Sequence, residues 1–179
     1  EATFTKYKEQ VGAFWIEQFW NISKNLIRED LRDWYQTNSG ILAEGWSPVV
    51  AEASFPTVDV EAEIQLPGVK IDLLDGSAPL NFLGQIDRYD RRADGSIHVI
   101  DYKGGRSSSF EGIDAINPTA GGYKYQLAIY GRLAQLLLKE EHSTETVKAS
   151  YWFVRRESES FVSVEMNDDV IEKLQTDLT

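Results

Sequence analysis

Apolar positions recur at three- and four-residue spacing over the first part of the chain. They are Phe4, Tyr7, Val11, Phe14, Trp15, Phe19, Ile22, Leu26, Leu31, Trp34 and Tyr35. That period is the stripe of an amphipathic helix. Residues 4–36 are therefore predicted helical, with the aromatics as core or domain-contact residues and Asn38-Ser39-Gly40 as the stop. The pattern then changes to β-rich runs. Two strands are predicted at Val49–Phe55 and Val58–Leu66, divided near Pro56, with turns at Leu66-Pro67-Gly68 and Asp75-Gly76. Over residues 81–105 two further β-rich runs flank Ala93-Asp94-Gly95, a short loop whose last position is Gly. This is a hairpin signature, because Gly accepts the left-handed conformation that such a loop needs. Residues 104–121, rich in Gly and Ser, read as a mobile loop. A helix from Tyr123 to Lys139, strands at Val147–Arg155 and Phe161–Glu165, and a final helix from Asp168 complete the order. Helices and strands in this sequence predict an α/β fold with a central mixed sheet flanked by helices. Nothing marks an internal boundary, so residues 1–179 are expected to be a single domain.

The hairpin loop makes a chemical prediction. A three-residue loop centred on Asp94 sets Arg92 against Ser96. Counting back along both strands sets Asp87 directly opposite Asp101. Directly opposed side chains share a face, with Cβ atoms about 4.5–5.5 Å apart. Alternation puts Lys103 on the face of Asp101 and turns Tyr102 away. A one-residue slip would dissolve this grouping. Two facing carboxylates repel unless a cation lies between them, and hard oxygen ligands suit Mg²⁺ or Mn²⁺. Such a cation can polarise a phosphodiester and lower the pKa of a bound water. Lys103 could position that water or neutralise charge on the phosphorane. An isolated D-x-K, read blandly, is a hairpin salt bridge; the opposed second acid is what raises it above that.

Composition trims the possibilities. The chain has no cysteine, which excludes disulfides, thiolate zinc sites, cysteine-ligated iron–sulfur clusters and a Cys nucleophile, and it has only two histidines, His98 and His142. Lys plus Arg is 18 against 29 Asp plus Glu, a net charge of −11. That balance argues against tight nonspecific binding of nucleic acid. No run of about 18 apolar residues suggests a membrane span, and a cytoplasmic location is expected.

The stretch Gly84-Gln85-Ile86-Asp87-Arg88, followed by Val99-Ile100-Asp101-Tyr102-Lys103, resembles the nuclease domain of RecB-type exonucleases in the PD-(D/E)XK, or restriction-endonuclease-like, superfamily. Gln126-Leu127-Ala128-Ile129-Tyr130 is similar to that family's Q-x-x-x-Y, with Gln126 and Tyr130 on one helical face. The looser similarity runs from Val49 to Phe153. The resemblance implies a restriction-endonuclease-like fold and assigns Asp87 and Asp101 as metal-binding acids and Lys103 as the catalytic lysine. It adds the backbone carbonyl of Tyr102 as a further metal ligand and Gln126 and Tyr130 as site-supporting or DNA-contacting residues. Glu52 matches an acidic position on the first strand that could orient the site or approach the metal; an ordinary strand-edge carboxylate is the bland reading. Arg88 is expected to be structural. Two departures stand out. Gly104 replaces a usual Thr, and no histidine precedes His98 where the family supplies an upstream ligand. An acid such as Glu17 substitutes, the ligand lies before Glu1, or the site is degenerate.

The expectation is thus a Mg²⁺- or Mn²⁺-dependent deoxyribonuclease, an exonuclease of recombination or repair. It would form part of a larger protein, with DNA and helicase domains of the same or a partner chain as partners. The alternative is a catalytically weak nuclease-like module that binds DNA or a partner as a scaffold. A paired-carboxylate glycosidase is a third reading, but it has no use for Lys103, Gln126 or Tyr130.

Overall fold

The computed structural model describes residues 2–11, 16–59, 65–137, 146–155 and 160–179. Two helices open the chain, α1 (Ala2–Val11) and α2 (Glu17–Ala43). The stripe expected to form one helix over 4–36 is thus divided, and its Phe14 and Trp15 lie outside the described residues. Nor does α2 stop at Asn38-Ser39-Gly40. It continues to Ala43, where the Glu44 N–H donates to the Gly40 carbonyl at 3.0 Å. Gly45, at φ +89°, supplies the left-handed residue that ends it. Of the expected roles, core or domain contact, core burial does not hold for most of the stripe's residues whose burial is described. Phe19, Ile22, Leu26, Leu31 and Tyr35 are exposed, and Ile41 is the buried residue of α2.

The strands are β1 (Ser47–Phe55), β2 (Val69–Ile71), β3 (Leu80–Phe82), β4 (Gly84–Arg91), β5 (Ile97–Lys103), β6 (Val147–Phe153) and β7 (Phe161–Glu165). The expected second strand, Val58–Leu66, is not found where it is described: Val58, Asp59, Gln65 and Leu66 are outside any strand, and 60–64 fall outside the described residues. Five strands form a sheet in the order β1-β4-β5-β6-β7, and β2 pairs β3 separately. All neighbours in the large sheet run antiparallel except β5 and β6, so the sheet is mixed. A parallel pair needs a crossover, which α3 (Gln126–Leu137) provides, preceded by a 3-10 turn at Ser107–Phe110. The last helix, α4 (Asp168–Leu178), begins where expected; Asn167 caps it by accepting from the Val170 N–H at 2.9 Å.

The sheet is covered unequally. On one face α3 and α4 cover two clusters, Ala128, Leu133 and Leu174 with Ile97 and Val99, and Leu127 and Val170 with Ala149 and Tyr151, with Met166 packed against both. On the other, among the described residues, the C-terminal part of α2 and the following Trp46 reach the sheet. Ile41 and Trp34 meet Ile100 and Trp152 there, and the Trp34 and Trp152 rings stack at 5.9 Å.

Candidate active site

The β4–β5 hairpin has the register expected from its loop. Arg92 donates to the Ser96 carbonyl at 2.9 Å, and Arg91, Asp90, Tyr89 and Arg88 pair with Ile97, His98, Val99 and Ile100. Antiparallel pairs alternate between hydrogen-bonded and non-bonded. By that alternation the Tyr102 N–H would next bond the Ile86 carbonyl. It donates instead to Asp87 Oδ2 at 2.7 Å, and the ladder ends at Arg88 and Ile100. A side-chain acceptor has replaced a backbone one. The hairpin opens there, and the Asp87 carboxylate is held against the Asp101–Tyr102 peptide. The neighbouring pairs of β1 and β4, Ala51 with Arg88 and Ala53 with Ile86, bracket Glu52 and Asp87 in the same row.

Lys103 and Asp101, two residues apart on β5, meet at 2.5 Å between Nζ and Oδ2. Gln126, the first residue of α3, locks both. Its Nε2 donates to Asp101 Oδ1 at 2.9 Å and its Oε1 accepts from Lys103 Nζ at 2.8 Å. Gln126 Nε2 also lies 2.9 Å from the Tyr130 hydroxyl one turn on, and that hydroxyl donates to the Gln85 carbonyl at 2.6 Å. The Q-x-x-x-Y spacing thus ties the start of α3 to both strands of the hairpin. The Tyr151 ring, opposite Asp101 on β6, lies 4.8 Å from the Lys103 ammonium. Burial pushes the Asp101 carboxyl above its usual range. The Lys103 contact opposes this, and the Asp87 charge adds to it. Burial likewise raises the Tyr130 hydroxyl, with Gln126 opposing and the charges of Asp101 and Asp87 reinforcing.

Asp87, Asp101, Lys103, Gln126 and Tyr130 are therefore brought together. Glu52 lies across from Asp87 on β1, but no metal-holding group of three acids includes it among the described residues. Its backbone is in the left-handed region, φ +52°, a conformation that costs a non-glycine residue about 1–3 kcal/mol. Its carboxylate accepts from Gln85 Nε2 at 3.0 Å. Glu17 instead pairs with Lys8 at 2.9 Å at the start of α2. Gln85, given no role by the motif that contains it, links Glu52 to the Tyr130 anchor. Tyr151 was overlooked, because only the parallel β5–β6 pairing brings it to Asp101.

Arg88 faces away from the acids, as alternation requires. Its guanidinium grips Asp90 through two bonds of 2.6 Å and donates to Asn38 of α2 at 2.6 Å and to the Tyr102 hydroxyl at 3.3 Å. It pins α2 to the sheet. Beside it His98 contacts Ser150 at 2.7 Å, but both are buried, and burial drives the imidazole down to about 3. This Ser–His pair is a neutral structural contact with no route to a substrate.

The acid pair suits a small hard cation. Among the described residues Asp87 Oδ1 has no partner, and Asp101 Oδ2 is buried against the Lys103 ammonium at 2.5 Å. Mg²⁺ characteristically takes one or two carboxylates and completes its shell with water and substrate phosphate. No group of three His, Cys, Asp or Glu side chains converges among the described residues. A cation held there would have two carboxylates from the described residues and take the rest of its shell from water and substrate. No curated protein sequence matches the chain. A family model described as the PD-(D/E)XK nuclease superfamily matches residues 7–179. With the match spanning nearly the whole chain and the mixed, helix-flanked sheet in place, this protein belongs to the PD-(D/E)XK nuclease superfamily.

Proposed function

We propose that the chain is a Mg²⁺- or Mn²⁺-dependent deoxyribonuclease, acting as an exonuclease of the RecB type in recombination or repair. The observation that carries this is the Gln126 clamp, which fixes Lys103 and Asp101 together beside the Asp87 carboxylate. Members of the superfamily typically use divalent metals. Asp87 and Asp101 would hold the cation, with the Tyr102 carbonyl as a further ligand. When bound, it would supply Lewis acidity toward the phosphodiester and a more acidic water. Lys103, oriented by Gln126, places positive charge where the attacked phosphate gathers negative charge. Gln126 and Tyr130 preserve that orientation, and Glu52 acts at one remove through Gln85. The work would be done in the cytoplasm, with helicase domains of the same or a partner chain delivering the strand.

A catalytically weak, DNA-binding module is the second reading. It is favoured by one observation: among the described residues no third acid or histidine joins Asp87 and Asp101. Linear and covalently closed circular DNA, single- and double-stranded, incubated with Mg²⁺ or Mn²⁺, separate the possibilities. An exonuclease degrades the linear forms and spares the circles. Nicked or linearised circles would overturn the exonuclease assignment. Binding without cleavage of any form would establish the second reading.

A further inference from the structure

Among the described residues, the four most exposed large apolar side chains are Tyr123 at 88%, Val58 at 86%, Ile116 at 84% and Leu83 at 78%. All four belong to segments that leave the sheet at one end. Leu83 precedes Gly84, the first residue of β4, and Val58 follows Phe55, the last of β1. Ile116 and Tyr123 lie on the connection between Lys103 and Gln126. That is the end where Asp87, Asp101 and Lys103 gather.

Tyr123 has the firmest backbone support. Its N–H and that of Lys124 both donate to the Thr119 carbonyl, at 3.0 and 2.8 Å, and the Gly122 N–H donates to Thr119 Oγ1 at 3.1 Å. Thr119 is itself bonded to Asp177 of α4, and the Tyr125 hydroxyl donates to the Asp177 carbonyl at 2.8 Å. Ala120, Gly121 and Gly122 are all in the left-handed region, at φ +52°, +67° and +86°. An aromatic ring is thus held in water on a braced turn, so little backbone freedom would be lost on binding. Three peptide links bound its Cα to within about 11 Å of the Gln126 Cα, within reach of bases flanking a phosphate at the site.

Charge gives the ring a purpose. The chain carries 18 basic against 29 acidic residues, and stacking on a base face adds affinity that needs no basic surface. We propose that Tyr123 is a positioning residue that stacks on a nucleobase next to the scissile phosphate, directing the site to single-stranded or frayed DNA. Base faces are covered inside a duplex and open in a single strand. The inference rests on the nuclease reading.

The test uses the full chain with a labelled oligothymidylate. Binding is followed by anisotropy with Ca²⁺ in place of Mg²⁺, and cleavage with Mg²⁺ or Mn²⁺. Tyr123→Ala should weaken binding by about ten- to a hundredfold and raise KM by a similar factor, with kcat at saturation changed little. Tyr123→Phe should restore both. The loss should be equal at about 50 and 200 mM salt, because stacking releases no counterions. One abasic position in the strand should reproduce the loss in the parent and add nothing in Tyr123→Ala. A Tyr123→Ala protein equal to the parent, a Phe variant as impaired as Ala, or additive abasic and Ala losses would overturn the inference while leaving the nuclease intact. A parent chain that neither binds nor cuts the strand overturns both.

Discussion

Neutralising Asp101 separates a metal site from a structural salt bridge. In the metal-free protein Asp101→Asn removes the attraction to Lys103, whose side chain keeps 24% of its surface in solvent. It also removes the burial penalty on the charge and the repulsion from Asp87. Because the Asp101 carboxyl sits above its usual range, the unfavourable contributions win. The sign follows from linkage: a raised folded-state pKa contributes stability below the unfolded value near 4, and that stability is lost as pH rises through the folded value. At pH 7 the charge is therefore a cost, and Asp101→Asn should leave metal-free stability unchanged or slightly raised. Metal reverses the ranking. A ligand that binds only the folded state at a hundredfold excess over its Kd adds about 2.7 kcal/mol. For a chain of this length that is a rise in Tm of roughly 5–11 °C, most of which Asp101→Asn should lose. Circular-dichroism melts of both proteins in chelator, Mg²⁺ and Mn²⁺, at matched ionic strength, read both effects. If the substitution instead costs the ~3–5 kcal/mol of a broken buried pair, and metal leaves the parent unmoved, Asp101 is a structural ion-pair partner and the reasoning is refuted.

Three further outcomes test the scaffold around the site. Arg88→Met strands the fully buried Asp90 carboxylate and should cost about 3–5 kcal/mol in urea unfolding; Arg88→Met with Asp90→Leu should recover most of it, and a single variant as stable as the parent would contradict the role given to the pair. Gly84→Ala would place a Cβ 2.7 Å from the Phe55 ring, which itself meets Tyr130 edge-on at 5.7 Å. It should destabilise by about 1–3 kcal/mol, relieved by Phe55→Leu, whereas unchanged stability would mean the ring moves freely. His98, with its imidazole driven down to about 3, contributes stability that is present above the unfolded value near 6.5 and lost as pH falls toward 3. Its imidazole signals in NMR should not titrate between pH 8 and 5, and a midpoint near 6.5 would show that the ring is not buried neutral.

The hairpin was readable because turn length fixes register, and register fixes faces. Ala93-Asp94-Gly95 sets the register that is kept as far as Arg88 and Ile100, one pair short of Asp87 and Asp101. What the register could not disclose is that Asp87 takes the Tyr102 N–H from the ladder, since that choice is made by a side chain. The long helix departs from its local pattern in where it stops and in what it buries. Asn38 and Gly40 looked like a stop, but Asn38 is engaged by Arg88 from the sheet, a tertiary contact that overrides local preference. The stop is Gly45, five residues on. Its apolar stripe leaves core and domain contact both open, because spacing reports amphipathicity and not what covers the face; Phe19, Leu26 and Tyr35 are exposed in this chain. Glu52 was legible as an acid on the first strand, but its left-handed backbone, which aims it at Gln85, has no signature in the residue types around it. Tyr151 reaches Asp101 through a parallel pairing set by the α3 crossover, beyond the range of any local pattern.

The central claim is that Asp87, Asp101 and Lys103 form a metal-dependent phosphodiesterase site, and single-residue knockouts address it most directly. DNA hydrolysis by the purified chain is measured with Mg²⁺ and with Mn²⁺, with and without chelator, alongside Asp87→Ala, Asp101→Ala and Lys103→Ala, each confirmed to be folded. The parent should cleave DNA in a reaction that chelator abolishes and that none of the three variants retains. Cleavage that persists in chelator, or that survives all three substitutions, would contradict it.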